Sequence, residues 1–185
     1  MRATERAALT LAVALALAGC GLGAVETAAP DALDPGAIPT GPIEPQGGDA
    51  TGPIVELGSG RLLGLGWRYS VYPSADGRCT QLETAEFASA RCAASLLPEG
   101  AIFGDIGQGE LPNGVRVIEG VAAEEVATVW VILESGLRVP AVLLPLDDAE
   151  LDGAAFLAFI PADEVVTHLQ AIRLNGEVLD TVDLR

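Results

Sequence analysis

Between residues 54 and 185 the chain is a succession of short apolar runs cut by turn residues, with no regular helical crossovers between them. Successive side chains of a strand point to opposite faces, so apolar and polar residues that alternate mark a half-buried strand. Leu65–Tyr72 shows this most plainly, with Trp67, Tyr69 and Val71 alternating with Arg68, Ser70 and Tyr72. Ile54–Leu57 precedes it and predicts its partner. Val115–Ile118 follows the turn Pro112-Asn113-Gly114, and Val126–Leu133 and Leu137–Leu144 flank Glu134-Ser135-Gly136 as a predicted hairpin. Ala154–Ile160 and Val166–Leu174 come next. Glu177–Leu184 then pairs back across Asn175-Gly176, the strongest short hairpin signal in the chain. Such a series predicts a mostly β fold built as an antiparallel β-sandwich.

Three segments qualify that picture. Val126–Leu133 is apolar on both faces, which predicts a central strand covered on two sides. Pro140 cannot donate to a ladder, so it places Leu137–Leu144 at an edge or a bulge. Within Glu83–Leu97, Phe87, Arg91, Ala94 and Leu97 keep a helical spacing, yet a hairpin turning at Ala85-Glu86 fits equally, so a short helix near 84–97 and a hairpin both stand. The later pattern is a Val/Trp strand, a Gly turn, a Phe-containing strand ending in Pro161, and a strand–Asn-Gly–strand finish. It resembles immunoglobulin-like exported domains over residues 115–185, without the inter-sheet Cys-Trp-Cys spacing, and carries no functional residues over.

At the other end, Arg2 and Arg6 precede an apolar run from Ala7 to Ala18, and small residues lead into Cys20. That is the layout of an export signal. These twelve residues, all apolar but Thr10, rise only about 18 Å as a helix, short of a hydrocarbon core of about 30 Å. The four residues Leu17-Ala18-Gly19-Cys20 resemble the lipobox of bacterial lipoproteins. The resemblance implies cleavage before Cys20, a diacylglycerol on its thiol, and a protein held in the cell envelope by lipid. Gly21 follows Cys20, where aspartate resembles an inner-membrane retention signal. The implied destination is the outer membrane if the host has one, and otherwise the outer face of the plasma membrane. Plain secretion after Gly19 is the alternative.

The lipobox reorders the cysteine count. With Cys20 taken by lipid, Cys79 and Cys92 remain, in an oxidising compartment where one disulfide is expected, with two buried thiols as the alternative. The expected domains are a signal peptide at 1–19, a lipidated Cys20 with a disordered Pro/Gly-rich tether through residue 53, and a β-sandwich at 54–185. The tether reading rests on Pro30, Pro35, Pro39, Pro42, Pro45 and Pro53 and an absence of apolar period. A flexible coil of that length spans about 30 Å.

The formal net charge is −16, and the chain contains no lysine. Loss of residues 1–19 removes Arg2, Arg6 and Glu5 and makes it one unit more negative. So acidic a chain lacks the cationic footprint that nucleic acid requires, and neutral or cationic partners are expected: an envelope protein or a glycan. Absence of lysine removes Ser-Lys dyads, Schiff-base chemistry and phosphate-binding P-loops. Gly107-Gln108-Gly109 lacks the third glycine of a dinucleotide fingerprint, and no cofactor is expected.

Candidate sites are few. Asp148, Glu150, Asp152 and Gly153 resemble the start of an EF-hand loop, but Phe159 stands where the bidentate glutamate belongs and the flanks read as strands. A weak divalent-ion site competes there with a solvated loop. His168 is the single histidine, and a Ser-His-Asp site would need it beside Ser59, Ser70 or Ser135, none of which sits in a nucleophile elbow. Trp67, Tyr69 and Tyr72 form the one aromatic cluster, able to stack on a sugar or a partner from a sheet face. No catalytic constellation emerges. The expectation is a lipid-anchored, non-enzymatic binding or scaffolding domain. A hydrolase using His168 or a carboxylate pair, and an envelope sensor lipoprotein, are the competing readings.

Overall fold

The computed structural model describes residues 34–96, 100–111 and 114–184, with the backbone alone for 105–110. The signal peptide, the lipobox and Cys20 lie outside these residues, as do Pro112, Asn113 and Leu97. Twelve strands are described: β1 Val55–Leu62, β2 Leu65–Ser74, β3 Gly77–Thr84, β4 Ala88–Ala93, β5 Ile102–Leu111, β6 Val115–Ala122, β7 Thr128–Leu133, β8 Arg138–Pro140, β9 Val142–Pro145, β10 Ala154–Pro161, β11 Val166–Ile172 and β12 Val178–Asp183. A single 3-10 turn, Asp147–Ala149, sits between β9 and β10.

The strands form three four-stranded antiparallel sheets: a front sheet β1-β2-β3-β4, a middle sheet β5-β6-β10-β9 and a back sheet β12-β11-β7-β8. The antiparallel sandwich is thus built twice, on either side of a shared middle sheet. The alternation along β10 shows why. Ala155, Leu157 and Phe159 enter one core cluster with Leu65, Trp67, Tyr69 and Val71 of the front sheet. Phe156, Ala158 and Ile160 enter a second with Val129, Val131 and Leu169 of the back sheet. Every residue from Ala155 to Ile160 is buried. A fully buried phenylalanine contributes about 2–3 kcal/mol by removal of apolar area from water, so β10 ties both interfaces together.

Several expectations change in detail. β10 is covered on both faces, as is β2 from Leu65 to Tyr72, whereas β7, within Val126–Leu133, buries Val129, Val131 and Leu133 and leaves Thr128, Trp130 and Ile132 partly exposed. Its apolar outer positions lie in a partly covered layer. Leu137–Leu144 does pair back on β7, but the chain changes sheet near Pro140: β8 edges the back sheet and β9 the middle sheet. Both are edge strands, where a residue without an N–H is tolerated.

The ambiguous Glu83–Leu97 segment is a hairpin over its described residues, 83–96, and among these the short helix expected near 84–97 is not formed. β3 and β4 pair through Cys79 and Cys92, which form a disulfide with S–S 2.02 Å. The turn closes on Thr84, whose N–H donates to the Phe87 carbonyl at 2.7 Å and whose Oγ1 accepts from the Phe87 N–H at 3.1 Å. Sheet pairing of β4 and the covalent link outweigh a helical spacing carried by four residues.

The segment 20–53 also differs from a free tether wherever it is described. Residues 34–53 lie as a strap along the outer face of the front sheet. The Gly66 N–H donates to Pro35 O at 2.9 Å at one end, and Thr51 N–H donates to Pro73 O at 2.9 Å at the other. A Cβ on Gly66 would meet the Ala37 carbonyl oxygen at 2.1 Å, so only glycine admits the strap this close. Prolines remove backbone donors and favour extended chain, which suits a segment whose polar groups are satisfied by side chains beneath it.

Candidate functional site

The front and middle sheets do not close evenly. Leu144, Leu157, Phe159 and Val117 fill the space between them over most of its width. Towards the β4 and β5 edges the sheets part and leave a cleft of about 320 Å³. Phe103 stands at its rim, 62% exposed despite its size, and Val121, Ala93 and Leu96 contribute apolar wall. β6 alternation places Val115, Val117, Glu119 and Val121 on the front-facing side, so the carboxylate of Glu119 arises where an apolar residue would continue the core.

Glu119 is 7% exposed. An isolated buried carboxylate is costly, and this one is held by neighbours from the opposite sheet. The Tyr69 hydroxyl donates to Glu119 Oε2 at 3.1 Å, and Arg91 Nε lies 3.4 Å from Oε1. Burial is the main cause, and the Glu119 carboxylate the next, that pushes the Tyr69 phenol well above its usual value of 10.0. The Thr80 side-chain hydrogen bond and the Arg91 charge pull in the other direction. Tyr69 therefore remains a donor at neutral pH, and the cleft ends on a phenol–carboxylate–guanidinium cluster. Ser95 also lines the cleft.

Among the described residues, no histidine or lysine lines the cleft. His168 lies on β11 of the back sheet, where its Nδ1 sits 2.8 Å from Thr167 Oγ1. The serines considered with it are elsewhere. Ser59 on β1 donates to Glu56, Ser70 is buried under the strap, and Ser135 pairs with Glu164 in the β7–β8 turn region. The structure does not assemble a Ser-His-Asp site from these residues.

The acidic candidates separate as well. Asp148 and Glu150 border one shallow depression beside Arg78, while Asp152 borders another with Asp147 and Glu124. Glu150 takes a left-handed conformation at φ 57° that ends the 3-10 turn and turns the chain between them. Among the described residues, no three His, Cys, Asp or Glu side chains gather to hold an ion.

Of the aromatic candidates, Trp67 is core, 6.4 Å from Phe159 between ring centroids. Tyr72 faces the strap, and only Tyr69 reaches the cleft. The three do not form a shared stacking surface. The sequence pattern marks neither Glu119 nor Phe103 as a site residue, and Arg91 enters it only through a helical spacing. The signal for Glu119 was a lone acid within the apolar strand Val115–Ala122.

Comparison with known proteins finds no matching family model, no matching curated protein and no matching solved structure. Among the described residues, no helix is long and apolar enough to cross a membrane.

Proposed function

We propose that this chain is a lipid-anchored cell-envelope protein whose β-sandwich domain binds a small neutral or cationic ligand in the cleft between the front and middle sheets. The observation that carries the binding reading is the pairing of an exposed Phe103 at the rim with a buried Glu119–Tyr69 pair and a half-buried Arg91 at the base. An apolar wall with a few convergent polar groups is the usual make-up of a small-molecule site. A chain of net charge −16 disfavours anionic ligands at long range. The anchoring reading rests on Leu17-Ala18-Gly19-Cys20. The oxidising compartment it implies agrees with a Cys79–Cys92 bridge.

Two measurements test the two halves. Mass spectrometry of the membrane-extracted protein should find a diacylglyceryl group on Cys20, and Cys20→Ala should move the protein out of the membrane fraction. Unmodified Cys20, or a variant still on the membrane, would remove the anchor. A panel of anionic, neutral and cationic aromatic compounds, screened by NMR, should show neutral and cationic members shifting the cleft amides. Preference for the anionic members would contradict the proposed ligand class.

A further inference from the structure

The outer face of the back sheet carries apolar residues that neither core explains. Trp130 and Ile132 of β7 and Ile172 of β11 are partly exposed there and belong to neither core cluster. The pairing register sets what surrounds them. One row across the sheet reads Pro140, Trp130, Gln170, Thr181, and the next reads Arg138, Ile132, His168, Asp183. Neighbouring strands lie about 4.8 Å apart, so each row sets an apolar side chain beside groups that give and take hydrogen bonds. His168 is held in one form. Thr167 donates its hydroxyl proton to Ile132 O at 3.0 Å, so towards His168 Nδ1, 2.8 Å away, it acts as the acceptor. Nδ1 therefore carries a proton, and Nε2 of the neutral ring is left to accept one.

We propose that this face binds a neutral oligosaccharide, with one sugar ring stacked on Trp130 and its hydroxyls bonded to Gln170 and His168. Chemistry, charge and size each carry part of this. A sugar ring has apolar C–H faces and an edge of hydroxyls, which matches an indole flanked by a carboxamide and an imidazole acceptor. The chain has a net charge of −16, yet on these two rows Arg138 and Asp183 cancel. A neutral face in an acidic molecule complements an uncharged ligand, while the surrounding field turns anionic ones away. At about 4.8 Å between strands and about 3.3 Å per residue, the four strands present roughly 400 Å². That is about half of what each partner gives to a standard protein interface of about 800 Å² a side, so a second copy is poorly matched and a short oligosaccharide fits. The site is on the opposite side of the middle sheet from the cleft and does not rest on the cleft's ligand.

The test titrates the isotope-labelled full chain with maltotriose, cellotriose and triacetylchitotriose, and with anionic trigalacturonate, following amide and indole N–H shifts. At least one neutral sugar should shift the Trp130 indole N–H and the Gln170 and His168 amides at millimolar concentration, and trigalacturonate should not. Trp130→Ala should weaken that binding about ten-fold or more, and Gln170→Ala should weaken it less. Glu119→Gln in the cleft should leave it unchanged. Unshifted β10 amides in Trp130→Ala show that the variant is folded; if it is not, Trp130→Leu keeps apolar bulk, removes the flat ring and should show the same loss. No shift with any neutral sugar, equal binding of trigalacturonate, shifts that fall on the cleft instead, or a wild-type dimer that Trp130→Ala disperses would each overturn the proposal.

Discussion

The middle sheet has two interfaces made by alternate residues of one strand, and they end differently. Phe156, Ala158 and Ile160 meet a back sheet whose facing residues are Val129, Val131, Leu169 and Ala171, all fully buried. Leu157 and Phe159 meet a front sheet that also buries Thr80, Tyr69 and the Glu119 carboxylate. The back interface is a dry core. The front interface runs out into a cleft whose polar cluster is held by partners from both sheets. Packing that closes fully secures the fold, and the place where it does not close can receive a ligand.

Phe156→Ala removes a fully buried ring from the back interface and should cost about 3–5 kcal/mol in urea unfolding. A loss below about 1 kcal/mol would show that the back core is not the main support. The front sheet has a covalent staple that the back sheet lacks. Opening it with Cys79→Ala/Cys92→Ala closes no loop across 13 residues and should cost about 3 kcal/mol in the same assay.

Glu119→Gln tests the polar end of the front interface and should cost about 1 kcal/mol, because Tyr69 keeps an acceptor while the Arg91 pair is lost. Its sharper effect is on Tyr69. A phenol whose folded pKa is raised binds its proton more firmly in the folded state than in the unfolded chain. Its contribution is therefore fully present below pH 10 and is lost as pH rises from there through the folded value. Absorbance at alkaline pH should show Tyr69 ionising at lower pH in Glu119→Gln than in the wild type. An unchanged titration would mean the carboxylate does not act on the phenol. Smallest of all, Phe103→Ser should change stability by less than about 0.5 kcal/mol, since the ring is mostly exposed.

Much of the fold was legible in residue alternation. The β1–β2, β7–β8 and β11–β12 pairs, and the inward placement of Trp67, Tyr69 and Val71, follow from period-two patterning and from turns such as Asn175-Gly176. What was hidden was polar. β3 carries Arg78, Thr80, Gln81 and Glu83, so nothing in its composition marks a buried strand. It is buried because a strap of prolines and glycines supplies main-chain partners from more than thirty residues away, as Gln46 does for Gln81. The strap in turn looked like free chain, since its hold lies in other residues' side chains. The cleft was hidden for the same reason. Glu119, Arg91 and Phe103 sit on three strands, and only the divergence of two sheets makes them one site.

The most direct test of the contrast between the two interfaces is a titration of the isotope-labelled chain with phenol, a neutral aromatic donor small enough for the cleft, followed by amide shifts. The largest shifts should fall on Phe103, Glu119, Gly120, Val121 and Ala93, which line the cleft, and Phe103→Ser should diminish them. Shifts centred on β7 and β11 of the back sheet, or none up to the solubility limit of phenol, would contradict the contrast.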